Sequence, residues 1–109
     1  VVIVGLLPSA VGFLRSDISG LNQPHDELQI RLAASRAGYD LRKTVAFSER
    51  TDDQIHRLRV VVDRLGVDAV IVPSAAHFNG HAIPAELLEV ATVITVSPGS
   101  TTVRASLPS

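Results

Sequence analysis

The sequence contains no cysteine, methionine or tryptophan, and only three phenylalanines and one tyrosine among 109 residues. Without cysteine there is no disulfide framework, no thiolate nucleophile and no thiolate metal site. With so few aromatics, the core must be built from Val, Leu, Ile and Ala. An excess of one charge is also missing. Ten basic and eleven acidic residues give a net charge of -1. That balance removes any general pull toward nucleic acid or an anionic membrane. Nine of the ten basic residues are Arg, so a local cationic patch remains worth seeking. Long apolar runs are lacking too. Val1 to Leu14 is apolar, but Pro8 interrupts it, and a membrane helix needs ~20 such residues. The basic leader of a signal peptide is absent. The expectation is a cytoplasmic chain with no membrane contact.

What is present is a single core's worth of alternating elements. A length of 109 residues fits one domain, and 46% hydrophobic content opposes disorder. Val1 to Val4 is a short β-like run, and Gly5 to Ser9 reads as a turn. Residues 1–9 are thus an extra N-terminal strand, a tail or a dimer contact. Ala10 to Arg15 is an apolar, branched strand. Ser16 to Gln23 reads as a loop. Pro24 suits the first turn of a helix, and Asp26 and Glu27 favour its positive end. Leu28, Leu32 and Ala33 are its expected inward stripe, and Gly38 its stop.

Thr44 to Phe47 is the next expected strand. Thr51 and Gln54 fit a capping box for a helix with Ile55, Leu58, Val62 and Leu65 on one face. Gly66 ends it. Val67 to Val72 is the clearest buried strand, with Asp68 as a solvated strand end. A loop from Pro73 to Ile83 precedes a short helix from Pro84 to Val90. Val93 to Val96 and the alternating Thr101 to Leu107 flank a Pro98-Gly99-Ser100 turn, as an antiparallel hairpin would. Strands separated by helices pair in parallel through right-handed crossovers. The fold class expected is therefore a three-layer α/β domain, with a mostly parallel sheet and a final antiparallel edge strand.

Several stretches carry a family resemblance. Gly12-Phe13-Leu14-Arg15 is followed by Leu28-Gln29 in the first helix. Ala37-Gly38-Tyr39 precedes the second strand, and Val67 to Val72 leads into a loop. In order and spacing this resembles the catalytic domain of serine recombinases, the resolvase and invertase family. The likeness runs from about Val11 to Val96. It implies a parallel sheet with helices on both faces and a serine that attacks a DNA phosphate held by arginines. Forked guanidinium donors suit that task.

The residues at the implied positions differ from that chemistry. The family nucleophile falls on Asp17, whose carboxylate would repel a phosphate. Ser16 lies one residue early. The family's Asp-Arg-x-x-Arg loop falls on Ala76, His77 and Gly80. An arginine opening the second helix falls near Gln54. Arg15 and Gln29 alone match. The chain also ends at Ser109, short of the family's dimer helix and DNA-binding domain. No catalytic residue is therefore assigned, strand exchange is not expected, and DNA binding by this domain alone is expected to be weak or absent.

Two readings follow. In the first, an inactive recombinase-like domain acts through self-association or a protein partner, in a regulatory or mobile-element setting, with Val1 to Leu7 as interface. In the second, the sheet edge binds a phosphate, nucleotide or other small anion through Arg15, Ser16, Asp17 and His77. Arg15 could equally be held in a salt bridge by Asp17. Ser16 and Ser19 have no base indicated. His77 and His81 have metal-ligand spacing, but they lie in a loop with no third ligand and read as solvated, so no metal or cofactor is expected. His25 and His56 read as helix-surface residues. Arg57, Arg59 and Arg64 form a row that Asp53 and Asp63 interrupt, as on a solvated face. The glycine patterns of dinucleotide and phosphate loops are absent.

Overall fold

The computed structural model describes residues 7–104. Strand β1 runs Ser9–Arg15, followed at once by a four-residue helix α1, Ser16–Ser19, and a 3-10 turn, Gly20–Asn22. Then come α2 (Gln23–Ala37), β2 (Asp40–Phe47), α3 (Gln54–Leu65) and β3 (Ala69–Val72). Two 3-10 turns, Ala75–His77 and Asn79–His81, lead to α4 (Ala85–Leu88), β4 (Thr92–Thr95) and β5 (Ser100–Thr102).

The sheet order is β2-β1-β3-β4-β5. Four strands are parallel and β5 is antiparallel to β4. This is the mixed α/β sheet the sequence predicts. Period-two alternation sorts the side chains onto two faces. Ala10, Leu14, Ala69, Ile71 and Ile94 meet Ile30 and Ala34 of α2 on one face. Val11, Phe13, Val70, Val72 and Val93 meet Leu58 and Val62 of α3, and Leu87 of α4, on the other. Phe13 stacks on Phe78, with centroids 5.5 Å apart and planes 21° apart. Such a pair adds about 0.5–1.5 kcal/mol beyond its buried area.

Several elements depart from the sequence expectation. Ser16 to Gln23 is helical rather than a loop, because the chain leaves β1 straight into α1 and turns at Gly20, φ +53°. The inward face of α2 is Ile30 and Ala34, with Ala33 beside them. Leu28 and Leu32 point outward. The apolar residues of α2 fall on opposite faces, so periodicity alone could not choose between them. Thr51 does not cap α3. Its hydroxyl accepts from the Ser48 N–H, and Gln54 Nε2 donates to the Ser48 carbonyl. Asp53 takes the cap position in a left-handed conformation. The box thus closes the β2–α3 loop instead of the helix end. Asp68 is exposed, yet its carboxylate accepts from the Ser9 N–H and its own N–H donates to the Ser9 carbonyl.

Strand β2 begins four residues earlier than predicted, α4 is shorter at both ends, and β5 ends at Thr102. Val103 is exposed. The proposed run Val1 to Val4 and the end of the predicted last strand lie outside the described residues, while Leu7 is exposed. No helix among the described residues is long and apolar enough to cross a membrane.

Two glycines matter. Gly38, φ +79°, ends α2: its N–H donates to the Ser35 carbonyl, and Tyr39 N–H donates to Ala34. This double bond pattern is the Schellman stop. Gly12 lets α2 settle on the sheet. A Cβ there would stand 2.8 Å from Ile30 Cγ2 and 2.7 Å from Thr44 Oγ1. Both atoms would have to move within a packed layer. Gly12→Ala should therefore cost about 1–3 kcal/mol in urea unfolding. Gly99→Ala, where a Cβ makes ordinary contact, should stay within about 0.5 kcal/mol of wild type. Equal stabilities for the two variants would refute the close approach.

Candidate functional site

In an open α/β sheet, ligands bind beyond the carboxyl ends of the strands, where the strand order reverses. Here the reversal lies between β1 and β3. The chain goes outward from β1 to β2, then crosses back over to β3. Arg15 closes β1 at that point. Its neighbours are the loop after β3, which carries His77 and Asn79, and the loop after β2, which opens α3.

Arg15 is tied on both its main chain and its side chain. Its backbone N–H donates to His77 Nδ1 at 2.9 Å. Its guanidinium donates Nε–H to Asp17 Oδ1 at 3.2 Å and an Nη2–H to Asp17 Oδ2 at 2.5 Å. Nη1 donates to Asn79 Oδ1 at 3.1 Å. The fork that could grip a phosphate is thus filled by a carboxylate of the same chain. The Arg15 hydrogen bonds hold the Asp17 carboxyl below its ordinary value. The salt-bridge reading of Arg15 and Asp17 is the one observed.

Ser16 does not join this cluster. Its hydroxyl donates to the Phe47 carbonyl at the end of β2, 3.2 Å away. Ser19 is buried, and its hydroxyl donates to Asp26 Oδ2 at 2.6 Å. Among the described residues neither serine has a histidine hydrogen-bonded to it; Ser19 is paired with a carboxylate but is buried under α2, outside the Arg15 cluster. His77, expected to be solvated, is 3% exposed. It sits in the 3-10 turn beneath Arg15, before Phe78, whose burial draws the turn onto the sheet edge. His81 is exposed at φ +54°. Ala76 and Gly80 add no polar side chain, and Gln29 is half-buried on α2, away from the cluster's hydrogen bonds. Among the described residues no group of three His, Asp or Glu side chains could hold a metal ion.

Beside Arg15 lies an open cleft of about 480 Å³, bordered by Asn79, Gln54, Glu49, Asp52, Asp53 and Glu86, with His56 at the rim. A second hollow of about 370 Å³ continues past Gln54 and Asn79 to His77, Ile83 and Pro84. Four acids therefore line the same cleft as one arginine that is already paired with Asp17. The sequence singled out Arg15, Asp17 and His77, and the fold brings them together. It gave no sign of Asn79 or of the acids of the β2–α3 loop, because only the fold juxtaposes them.

The class defined is a three-layer α/β domain with a polar cleft at its topological switch point. Comparison with protein-family models, curated proteins and solved structures finds no match to this chain.

His77 generates a testable pH dependence. Its Nδ1 accepts a hydrogen bond, so the ring is neutral with its proton on Nε2. Burial lowers its pKa below the ordinary 6.5, and Arg15 adds to this, against the opposing pull of Asp26 and Asp17. The unfolded chain therefore takes up the proton first as the pH falls. Stability from this group is whole above about pH 6.5 and is lost as pH falls through the lower folded value, at no more than about 1.4 kcal/mol per pH unit. His77→Gln keeps an acceptor but cannot titrate. Urea midpoints across this range should fall more steeply for wild type than for the variant. Parallel curves would show that His77 does not stay neutral.

Proposed function

We propose that this chain is a recombinase-like α/β domain without a phosphate-cleaving centre, which acts through contacts with other proteins. The observation carrying this reading is the closed ring of bonds around Arg15. The residue that matches a family phosphate ligand spends its guanidinium on Asp17 and Asn79. Asp17 stands where the family's nucleophile would be, and the adjacent Ser16 hydroxyl is turned to the Phe47 carbonyl. The parallel sheet, antiparallel last strand and helices on both faces support the resemblance at the level of fold.

The alternative, an anion site at the sheet edge, is favoured by the cleft's position at the switch point. Its charge opposes that reading. A phosphate approaching Arg15 would displace Asp17 and meet Glu49, Asp52 and Asp53, with Glu86 beyond them already paired with Arg59. Each repulsion raises the cost of holding an anion there.

The test is direct. Incubated with duplex DNA and denatured, the protein should yield no covalent adduct and no nicking above that of a Ser16→Ala control. An adduct that disappears in Ser16→Ala would overturn the proposal. A second measurement addresses Arg15. In Asp17→Ser the guanidinium loses its carboxylate, so weak, salt-sensitive binding of inorganic phosphate should appear, with a Kd on the order of millimolar. Wild type should show none. Phosphate binding by wild type that is lost in Arg15→Ala would instead establish the anion site.

A further inference from the structure

Helix α2 is apolar on two opposite faces. Ile30 and Ala34 face the sheet and are buried. At 100° per residue, Leu28 and Leu32 lie on the far side, and Leu21 stands in the 3-10 turn that feeds the helix. These side chains are exposed: Leu21 fully, Leu28 at 42% and Leu32 at 37%. Ile18, on the short helix just ahead, is also exposed. Single exposed leucines need no explanation. A second apolar stripe along one helix does, because a helix with two apolar faces has a second face to cover.

The exposed charges of α2 are of one sign. Every exposed charged residue of α2 is an arginine, namely Arg31 and Arg36, and exposed His25 lies beside them. The helix's acids are set toward the sheet side. Asp26 is half-buried and holds Ser19, and Glu27 is half-buried. Neither Arg31 nor Arg36 forms an ion pair among the described residues. The outer face of α3 differs: Asp63 and Arg64 alternate there, and Arg59 reaches Glu86 and Glu89. That face carries an exposed acid, Asp63, between its exposed arginines Arg57 and Arg64. The α2 face is a leucine ridge with a basic rim.

We infer that the outer face of α2 docks an acidic amphipathic helix of another protein, its apolar stripe on Leu21, Leu28 and Leu32 and its carboxylates on Arg31 and Arg36. Helix-on-helix recognition reads apolar anchors at helical spacing, and Leu21, Leu28 and Leu32 stand at i, i+7 and i+11. The charged rim sets the choice of partner and speeds encounter. A second copy docking α2 against α2 would bring two basic rims together, which disfavours self-pairing here. The inference rests on the reading of the chain as a protein-contact domain and names the partner's chemistry.

The experiment uses a displayed library of helical peptides with leucines fixed at i, i+4 and i+7 and random flanking positions, selected on the whole chain. Enrichment of Glu and Asp at the flanks is expected. The consensus peptide, synthesised, should bind with a Kd on the order of micromolar. Leu28→Glu with Leu32→Glu should weaken it about tenfold or more. Both sites are exposed, so the urea midpoint should hold. Arg31→Glu with Arg36→Glu should lose the acidic peptide and gain one with lysine flanks. Neutral or basic flanks, or binding unchanged in both double variants, overturn the inference. So does displacement of the peptide by phosphatidylserine vesicles, or a dimer in sedimentation that the leucine variants dissociate. These failures leave the absence of DNA chemistry standing. A Ser16-dependent DNA adduct would sink the parent reading whatever the peptides do.

Discussion

The hydrogen bond from the Arg15 N–H to His77 Nδ1 joins the two halves of the site. Parallel neighbours β1 and β3 pair only over Ala10 to Gly12. Pairing with β2 continues to Arg15, but on the β3 side the carboxyl end of β1 needs other partners for its backbone, since an unpaired buried N–H costs about 1–3 kcal/mol. The imidazole supplies one. It also fixes its own tautomer, burial and position by doing so. Asn79, two residues further on, then reaches the Arg15 guanidinium, and Phe78 between them stacks on Phe13. One strand end is thus held by three successive residues of a loop that has little regular structure.

These contacts leave the corner around Arg15 with few free donors. A phosphate-binding arginine must keep its donors free until the ligand arrives. Arg15 has a carboxylate two residues away that fills the same fork, with only 15% of its side chain exposed. A loop that bears arginines must stay open to solvent. The equivalent loop here buries His77 and Phe78. The corner gains order from groups that would otherwise be reserved for substrate.

Much of the fold was legible because β1 and β3 are short and buried on both faces. The run Ala69–Val72 shows no alternation, and its shortness between Gly66 and Pro73 marks it as a buried strand. The convergence of Arg15, Asp17 and His77 was legible too, since a strand end and the loops beside it share one edge in this architecture. The facing of α2 was not. Leu28 and Leu32 match helical spacing as well as Ile30 and Ala34 do, and larger residues draw the eye inward. What decided the outcome is a glycine: Gly12 opens room for Ile30 Cγ2, and a leucine ridge has no comparable seat. The burial of His77 was hidden for a different reason. Its partner is a backbone amide 62 residues away, which no local pattern can announce.

A net charge of -1 conceals a division between two surfaces. Acids of the β2–α3 loop and of α4 gather about the cleft, while the exposed arginines of α2 stand on the opposite layer beside uncovered leucines. Charge separation of this kind raises electrostatic self-energy slightly within each patch and contributes nothing to the core. It does create two regions with distinct preferences. The acids that line the cleft oppose an anion there. The α2 face attracts anions, but pairs that attraction with apolar area that a free phosphate cannot cover. On the proposed reading, recognition moves from the strand ends to the flank of a helix, where the complementary object is an extended acidic and apolar surface.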